Sequence, residues 1–114
     1  VHMYGVYDTA SKITDYYDSF QNAGLPLVVG EFGWKHTDGD VDDDTIINEA
    51  QSRGIGYLAW SWSGNSGGVE YLDMATDFNP EQLTLWGQRI FNGVNGIRAT
   101  SKEATIFGGR VVGE

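Results

Sequence analysis

Short apolar runs alternate with stretches of helical period along this chain. Residues 1–7, rich in apolar and aromatic side chains, predict a first strand. Ile13, Tyr16, Tyr17 and Phe20 then fall at spacings of three and four, which is one face of a helix. Thr9 or Ser11 can cap its start, Asn22-Ala-Gly24 closes it, and Pro26 keeps it from resuming. Residues 25–32 read as a second strand. A polar, acidic loop follows over residues 35–44. Asp43 or Asp44 is expected to cap a second helix that carries Ile46, Ile47 and Ala50 on one face and stops at Gly54. Residues 55–60 are a third, nearly all-apolar strand, continued by the polar and aromatic residues 61–63. A Gly-rich loop runs from Gly64 to about Phe78. Asn79-Pro80 is expected to open a last helix, with Leu83, Trp86, Ile90 and Phe91 facing inward and Gly93 at its end.

Strands that alternate with helices imply parallel, right-handed βαβ units in an α/β fold. Three such strands are too few for a closed barrel, which needs eight, and they leave two open edges. The pattern therefore predicts part of a (β/α)8 barrel over residues 1–97, in a chain cut from something longer. The Gly-, Thr- and Ser-rich residues 98–114 have no clear period and are expected to be a tail or linker.

Composition narrows the chemistry. With 7 basic and 16 acidic residues the net charge is −9, which disfavours nucleic acid and anionic membranes as partners and leaves neutral polymers such as polysaccharide open. There is no cysteine, so neither a disulfide nor a thiolate metal site is available. No apolar run approaches the length of a membrane span, and no leader peptide is recognised at the start.

The chemistry concentrates in Val28-Val-Gly-Glu-Phe-Gly-Trp34, where a strand pattern delivers one carboxylate, Glu31, between glycines. A lone strand-end Glu is often no more than solvated or paired. Here Tyr4, Trp34, Trp60 and Trp62 fall at similar strand ends, which on an α/β scaffold gather on one face. A carboxylate beside a His-Tyr pair and flat indoles suits a sugar site. Glu31 can attack an anomeric carbon, Tyr4 can hold the carboxylate, His2 can bind a hydroxyl or the carboxylate, and Trp can stack on a sugar face. Each has a plainer account: His2 as a satisfied core histidine, Trp62 as packing, and Glu70 and Asp73 as solvated charges. The run of Asp38, Asp40, Asp42, Asp43 and Asp44 lacks the order of a calcium loop and its closing Glu, and reads as a solvated cap region.

Val1-His-Met-Tyr-Gly5, the Glu31 segment and Tyr57-Leu-Ala-Trp-Ser-Trp-Ser-Gly-Asn65 together resemble glycoside hydrolase family 5, and most of all its bacterial β-1,4-mannanases of the Bacillus type. The resemblance runs to about Phe107. It implies the C-terminal part of a clan A (β/α)8 barrel, about strands 6 to 8 with their helices, in a secreted enzyme that hydrolyses β-mannan with retention. Carried over, Glu31 is the nucleophile at the end of the seventh strand. His2 and Tyr4 are the sixth-strand pair that supports it. Trp60 is the sugar platform of the eighth strand, with Trp34 and Trp62 as further substrate-binding residues, and the helix ending at Phe91 is the eighth. The family's acid/base Glu, which follows an Asn at the end of the fourth strand, has no counterpart here, and Asn48-Glu49 lies inside a predicted helix. Retention needs two carboxyls roughly 5–5.5 Å apart, so the chain alone is expected to be inactive. Two other readings stand beside this one: the same barrel segment from a β-1,4-glucanase, and a non-catalytic carbohydrate-binding module, against which the βα alternation argues. No cofactor and no metal is called for. The open edges predict a homo-oligomer or pairing with the missing barrel strands.

Overall fold

The expected strands and helices are present in the computed structural model of the chain, which describes residues 1–108. Strand β1 (His2–Met3), helix α1 (Ala10–Asn22), strand β2 (Val28–Phe32), hairpin strands β3 (Lys35–His36) and β4 (Gly39–Asp40), helix α2 (Asp43–Arg53), strand β5 (Gly56–Ala59), helix α3 (Leu85–Asn92) and helix α4 (Ile97–Thr100) follow in order. Strands β1, β2 and β5 form one parallel sheet in that order, so each βα unit adds a strand beside the last.

The strands are shorter than their apolar runs, for local reasons. β1 ends where Tyr7 N–H bonds back to the Tyr4 carbonyl, closing a turn instead of extending the sheet to residue 7. β2 starts at Val28 because Leu25 N–H is still bonded to the Phe20 carbonyl at the end of α1 and Pro26 has no N–H to offer. β5 ends at Ala59. Trp60 N–H still bonds to the Phe32 carbonyl, and residues 61–63 then leave the sheet to bond with the segment around Leu72 and Ala75.

Two expectations about helix starts are corrected. The cap of α2 is Asp42, whose carboxylate accepts from Thr45 N–H and Oγ1–H; Asp43 and Asp44 occupy the first turn, where the helix dipole favours them. The last helix begins at Leu85, not at Asn79-Pro80. Asn79 Oδ1 accepts from Glu81 N–H and its carbonyl from Gln82 N–H, so this pair builds a turn. Leu83 then bridges to Ala75 in extended conformation, and Thr84 caps α3 by accepting from Gly87 N–H. α2 does close at Gly54, which adopts the left-handed conformation that ends a helix.

The core lies between the sheet and the helices. Met3, Val29 and Phe32 from the strands are fully buried against Ile13, Tyr17, Ile46, Ile47, Ala50, Trp86 and Ile90. Val29 and Phe32 are three residues apart, so strict alternation would put them on opposite faces. A register shift between them in the β2–β5 pairing lets both point to the helices. The opposite face is open: Val28 and Leu58 remain 51% and 58% exposed. Tyr17 and Trp86, on the helix faces expected to turn inward, are buried within this chain, and Tyr17 Oη donates to the Ile46 carbonyl. Arg53 of α2 reaches Asp18 and Gln21 of α1 as well as its own Glu49, tying the two helices together. Of the expected tail, residues 98–108 carry the end of α4 and an exposed single turn, Thr105–Phe107; residues 109–114 lie outside the described residues.

Candidate active site

Glu31 sits on the open face near the C-terminal end of β2, paired in register with His2. Its carboxylate has a polar side chain beside each oxygen. Tyr4 Oη donates to Oε1 at 2.9 Å, and His2 Nδ1 lies 3.0 Å from Oε2. Burial, and then the Glu31 hydrogen bond and charge, hold the Tyr4 phenol well above its ordinary pKa, so Tyr4 stays a donor. The Glu31 side chain keeps 28% of its exposure and the open face gives access to it.

Local structure sets this arrangement. The turn that ends β1 at Tyr4 presents the phenol beside the β2 carboxylate. Gly33 follows directly after β2, where a Cβ would stand 2.6 Å from the end of the Leu72 side chain, so a larger residue here would push Leu72 aside. The acidic loop expected after Trp34 is in fact the β3–β4 hairpin. It folds back on β1: Gly5 N–H bonds to Asp38 Oδ1, and the His36 ring packs on Tyr4 with centroids 4.7 Å apart. His36 is a neighbour of the site that pattern reading did not find, because the hairpin has no apolar period.

Trp60 stands on the open face one residue past β5 and is 42% exposed. Its indole Nε1–H donates to Asn65 Oδ1 at 2.7 Å. Trp34 and Trp62 lie elsewhere. Trp34 Nε1–H donates to the Tyr71 carbonyl, its ring meets Tyr71 edge-on, and Lys35 Nζ lies 4.7 Å from its centroid. It lines a groove of about 450 Å³ with Tyr71, Leu85, Trp86, Asp43 and Arg89. Trp62 packs edge-to-face on Phe91 of α3, 5.8 Å between centroids. The site therefore brings together Glu31, His2 and Tyr4, with Trp60 on the same face, while Trp34 and Trp62 make their contacts with loops and helix. In the groove, Asp43 has its pKa raised to about 6, by burial first and by Asp44 second, against the opposing charge of Arg89.

Asp73 is not the solvated charge its loop suggested. Its Oδ1 accepts from both the backbone N–H and the Nδ2 of Asn65, at 2.8 and 2.7 Å. Glu70 is exposed, as expected.

The model of the family Cellulase (glycosyl hydrolase family 5) matches residues 1–66. A mannan endo-1,4-β-mannosidase of Streptomyces lividans is 62% identical over 109 residues, 96% of this chain and 28% of that protein. In structure, a β-mannanase from Thermomonospora fusca superposes with a TM-score of 0.88 at 60% identity, covering 95% of this chain and 36% of that one. The mannohexaose complex of the T. fusca enzyme superposes with a TM-score of 0.85 at 58% identity, over 95% of this chain and 35% of that one. The chain thus spans about a third or less of the length of these relatives, and its three βα units are part of a (β/α)8 barrel.

Proposed function

The chain belongs to glycosyl hydrolase family 5, and from that premise we propose that it is the segment of a retaining endo-β-1,4-mannanase that carries the nucleophile, Glu31. The observation that carries this reading is the Glu31 carboxylate on an open strand-end face, with Tyr4 Oη donating to one oxygen and the His2 imidazole 3.0 Å from the other. The Tyr4 hydrogen bond and the adjacent His2 ring orient one carboxylate on an accessible face, which is what attack on an anomeric carbon requires. One Glu31 oxygen forms a bond to the anomeric carbon as the glycosidic C–O bond breaks, and the leaving oxygen takes a proton from a general acid. Water then attacks the same carbon, gives its proton to the conjugate base of that acid, and frees Glu31.

The general acid is the part this segment does not supply. The groups that hold Glu31 are a phenol and an imidazole, and neither has the role of the second carboxyl. The chain by itself is therefore inactive in this reading and acts when the remaining barrel strands complete the site. Trp60 supplies the flat surface for a sugar ring. Trp34 and Trp62, turned toward loop and helix, act on substrate only through the loops they hold. The open sheet face and the free edges of β1 and β5 support association with those strands or with a second copy. A polymeric substrate supports a secreted parent enzyme, since a β-mannan chain does not cross a membrane.

The test is complementation with a polypeptide supplying the other strands, assayed on mannan and on cellulose. Glu31→Gln keeps the shape and loses the attacking charge; turnover is expected to vanish, and unchanged turnover overturns the assignment. Trp60→Ala is expected to weaken oligosaccharide binding by about 1–3 kcal/mol by calorimetry. Faster hydrolysis of cellulose than of mannan would move the reading to a β-1,4-glucanase.

A further inference from the structure

Trp60 is held at two points. Its carbonyl accepts from Trp86 Nε1–H at 2.8 Å, which fixes the backbone, and its indole donates to Asn65 Oδ1, which fixes the ring. The second contact depends on which way the Asn65 carboxamide faces. An indole can only donate, so it needs the amide oxygen and not the NH2 group. The amide is turned the right way by its own partners. Asn65 Nδ2 donates to Ser61 Oγ at 2.9 Å and to Asp73 Oδ1 at 2.7 Å, and the same Asp73 oxygen accepts the Asn65 backbone N–H. A carboxylate can only accept, so Asp73 draws the NH2 group to itself and leaves the oxygen toward Trp60. Both amide hydrogens and the oxygen are then used, and a flipped amide would set NH2 against N–H.

We propose that Asp73 and Asn65 are positioning residues, a donor–acceptor relay that sets the angle of the Trp60 ring on the open face. The proposal deepens the reading of Trp60 as a sugar platform and rests on it for its functional meaning. The relay joins two ends of one loop. Asn65 lies five residues after Trp60, and Asp73 lies eight residues beyond Asn65, after the Gly67-Gly68 turn. Asp73 also accepts through its carbonyl from Thr84 Oγ1–H at 2.6 Å, and Thr84 caps α3, so the relay is anchored to a helix.

The chain carries its own controls, because Trp34 and Trp86 also donate indole hydrogen bonds, to the carbonyls of Tyr71 and Trp60. In the ¹⁵N-labelled chain of 114 residues, hydrogen exchange of each indole Nε1–H is followed by NMR. Asp73→Asn removes the acceptor-only partner and lets the Asn65 amide flip. The Trp60 indole is expected to exchange about two- to tenfold faster, the scale of one lost hydrogen bond, with Trp34 and Trp86 unchanged. In an Asn65→Ala background, where the relay is already cut, Asp73→Asn is expected to add no further acceleration at Trp60. A merely structural carboxylate at position 73 would act in both backgrounds. Unchanged Trp60 exchange in Asp73→Asn, equal acceleration at all three indoles, or a further acceleration of Trp60 in the Asn65→Ala background would each overturn the relay. Failure of Trp60→Ala to weaken sugar binding would instead remove the platform reading and leave the relay standing.

Discussion

The two faces of the β1–β2–β5 sheet are built from the same three strands and have opposite surroundings. On one face Met3, Val29 and Phe32 are fully buried beneath the helices. On the other, Val28, Leu58 and Trp60 keep about half their surface, beside Glu31 and His2. The covered face is completed by this chain's own helices, which bury Tyr17 and Trp86 as well. The open face is the one that lines the interior of a (β/α)8 barrel, where side chains from all eight strands pack in layers. Three strands supply one side of such a layer. The difference teaches that this segment's buried core and its candidate chemistry lie on opposite sides of one sheet.

The comparison can be broken most forcefully on the covered face. Phe32 is fully buried and meets Tyr57 and Trp86 edge-to-face. Phe32→Ala should cost about 3–5 kcal/mol, enough to unfold a chain of this size in a urea titration. A loss below 1 kcal/mol would mean that the covered face is not the seat of stability.

A smaller effect sharpens the contrast between the two carboxylates. Glu31 on the open face accepts from Tyr4 with His2 beside it, whereas Asp43 lines the groove with Trp86 and has Arg89 3.9 Å away. Asp43 has its pKa raised from 3.8 to about 6. Below about pH 4 it is protonated in both the folded and unfolded chain and has no effect. Between those values the folded protein keeps a proton that the unfolded chain has lost. Above pH 6 both are ionised, and the folded state carries a charge that its surroundings disfavour. Stability should therefore fall as pH rises from about 4 to 6 on this group's account. Asp43→Asn is expected to gain about 1 kcal/mol at pH 7.5 and nothing at pH 3.5 in thermal melts. A variant less stable than its parent at pH 7.5 would show that the Arg89 attraction outweighs burial.

The smallest effect belongs to the open face itself. Leu58→Ala removes a large side chain that this chain leaves 58% exposed, and should change stability by no more than about 0.5 kcal/mol. A cost comparable with that of Phe32→Ala would reveal that the open face is covered in solution, by a second copy or by a rearranged loop, and light scattering on the same sample would tell which.

Several features of this molecule were determined by the sequence alone. The βα alternation, the helix faces carrying Ile13 and Tyr17 or Ile46, Ile47 and Ala50, the stop at Gly54 and the isolation of Glu31 at a strand end all follow from periods and turn residues that act over a few positions. Their forces are local, so one-dimensional spacing records them. The pairing of Glu31 with both Tyr4 and His2 is different: it joins residues 27 and 29 apart in sequence and exists because β1 and β2 are parallel neighbours in a particular register. The same holds for the register shift that buries both Val29 and Phe32, for the β3–β4 hairpin that lays His36 on Tyr4, and for Asp73, whose charge looks solvated until the loop folds it onto Asn65. Tertiary structure decided these because hydrogen-bond partners, and the face to which a side chain turns, depend on contacts across the chain that no local period encodes. The last helix shows the two levels meeting. Asn-Pro is a true helix-start signal by composition, but the Ala75–Leu83 bridge claims the backbone between, and the cap passes to Thr84.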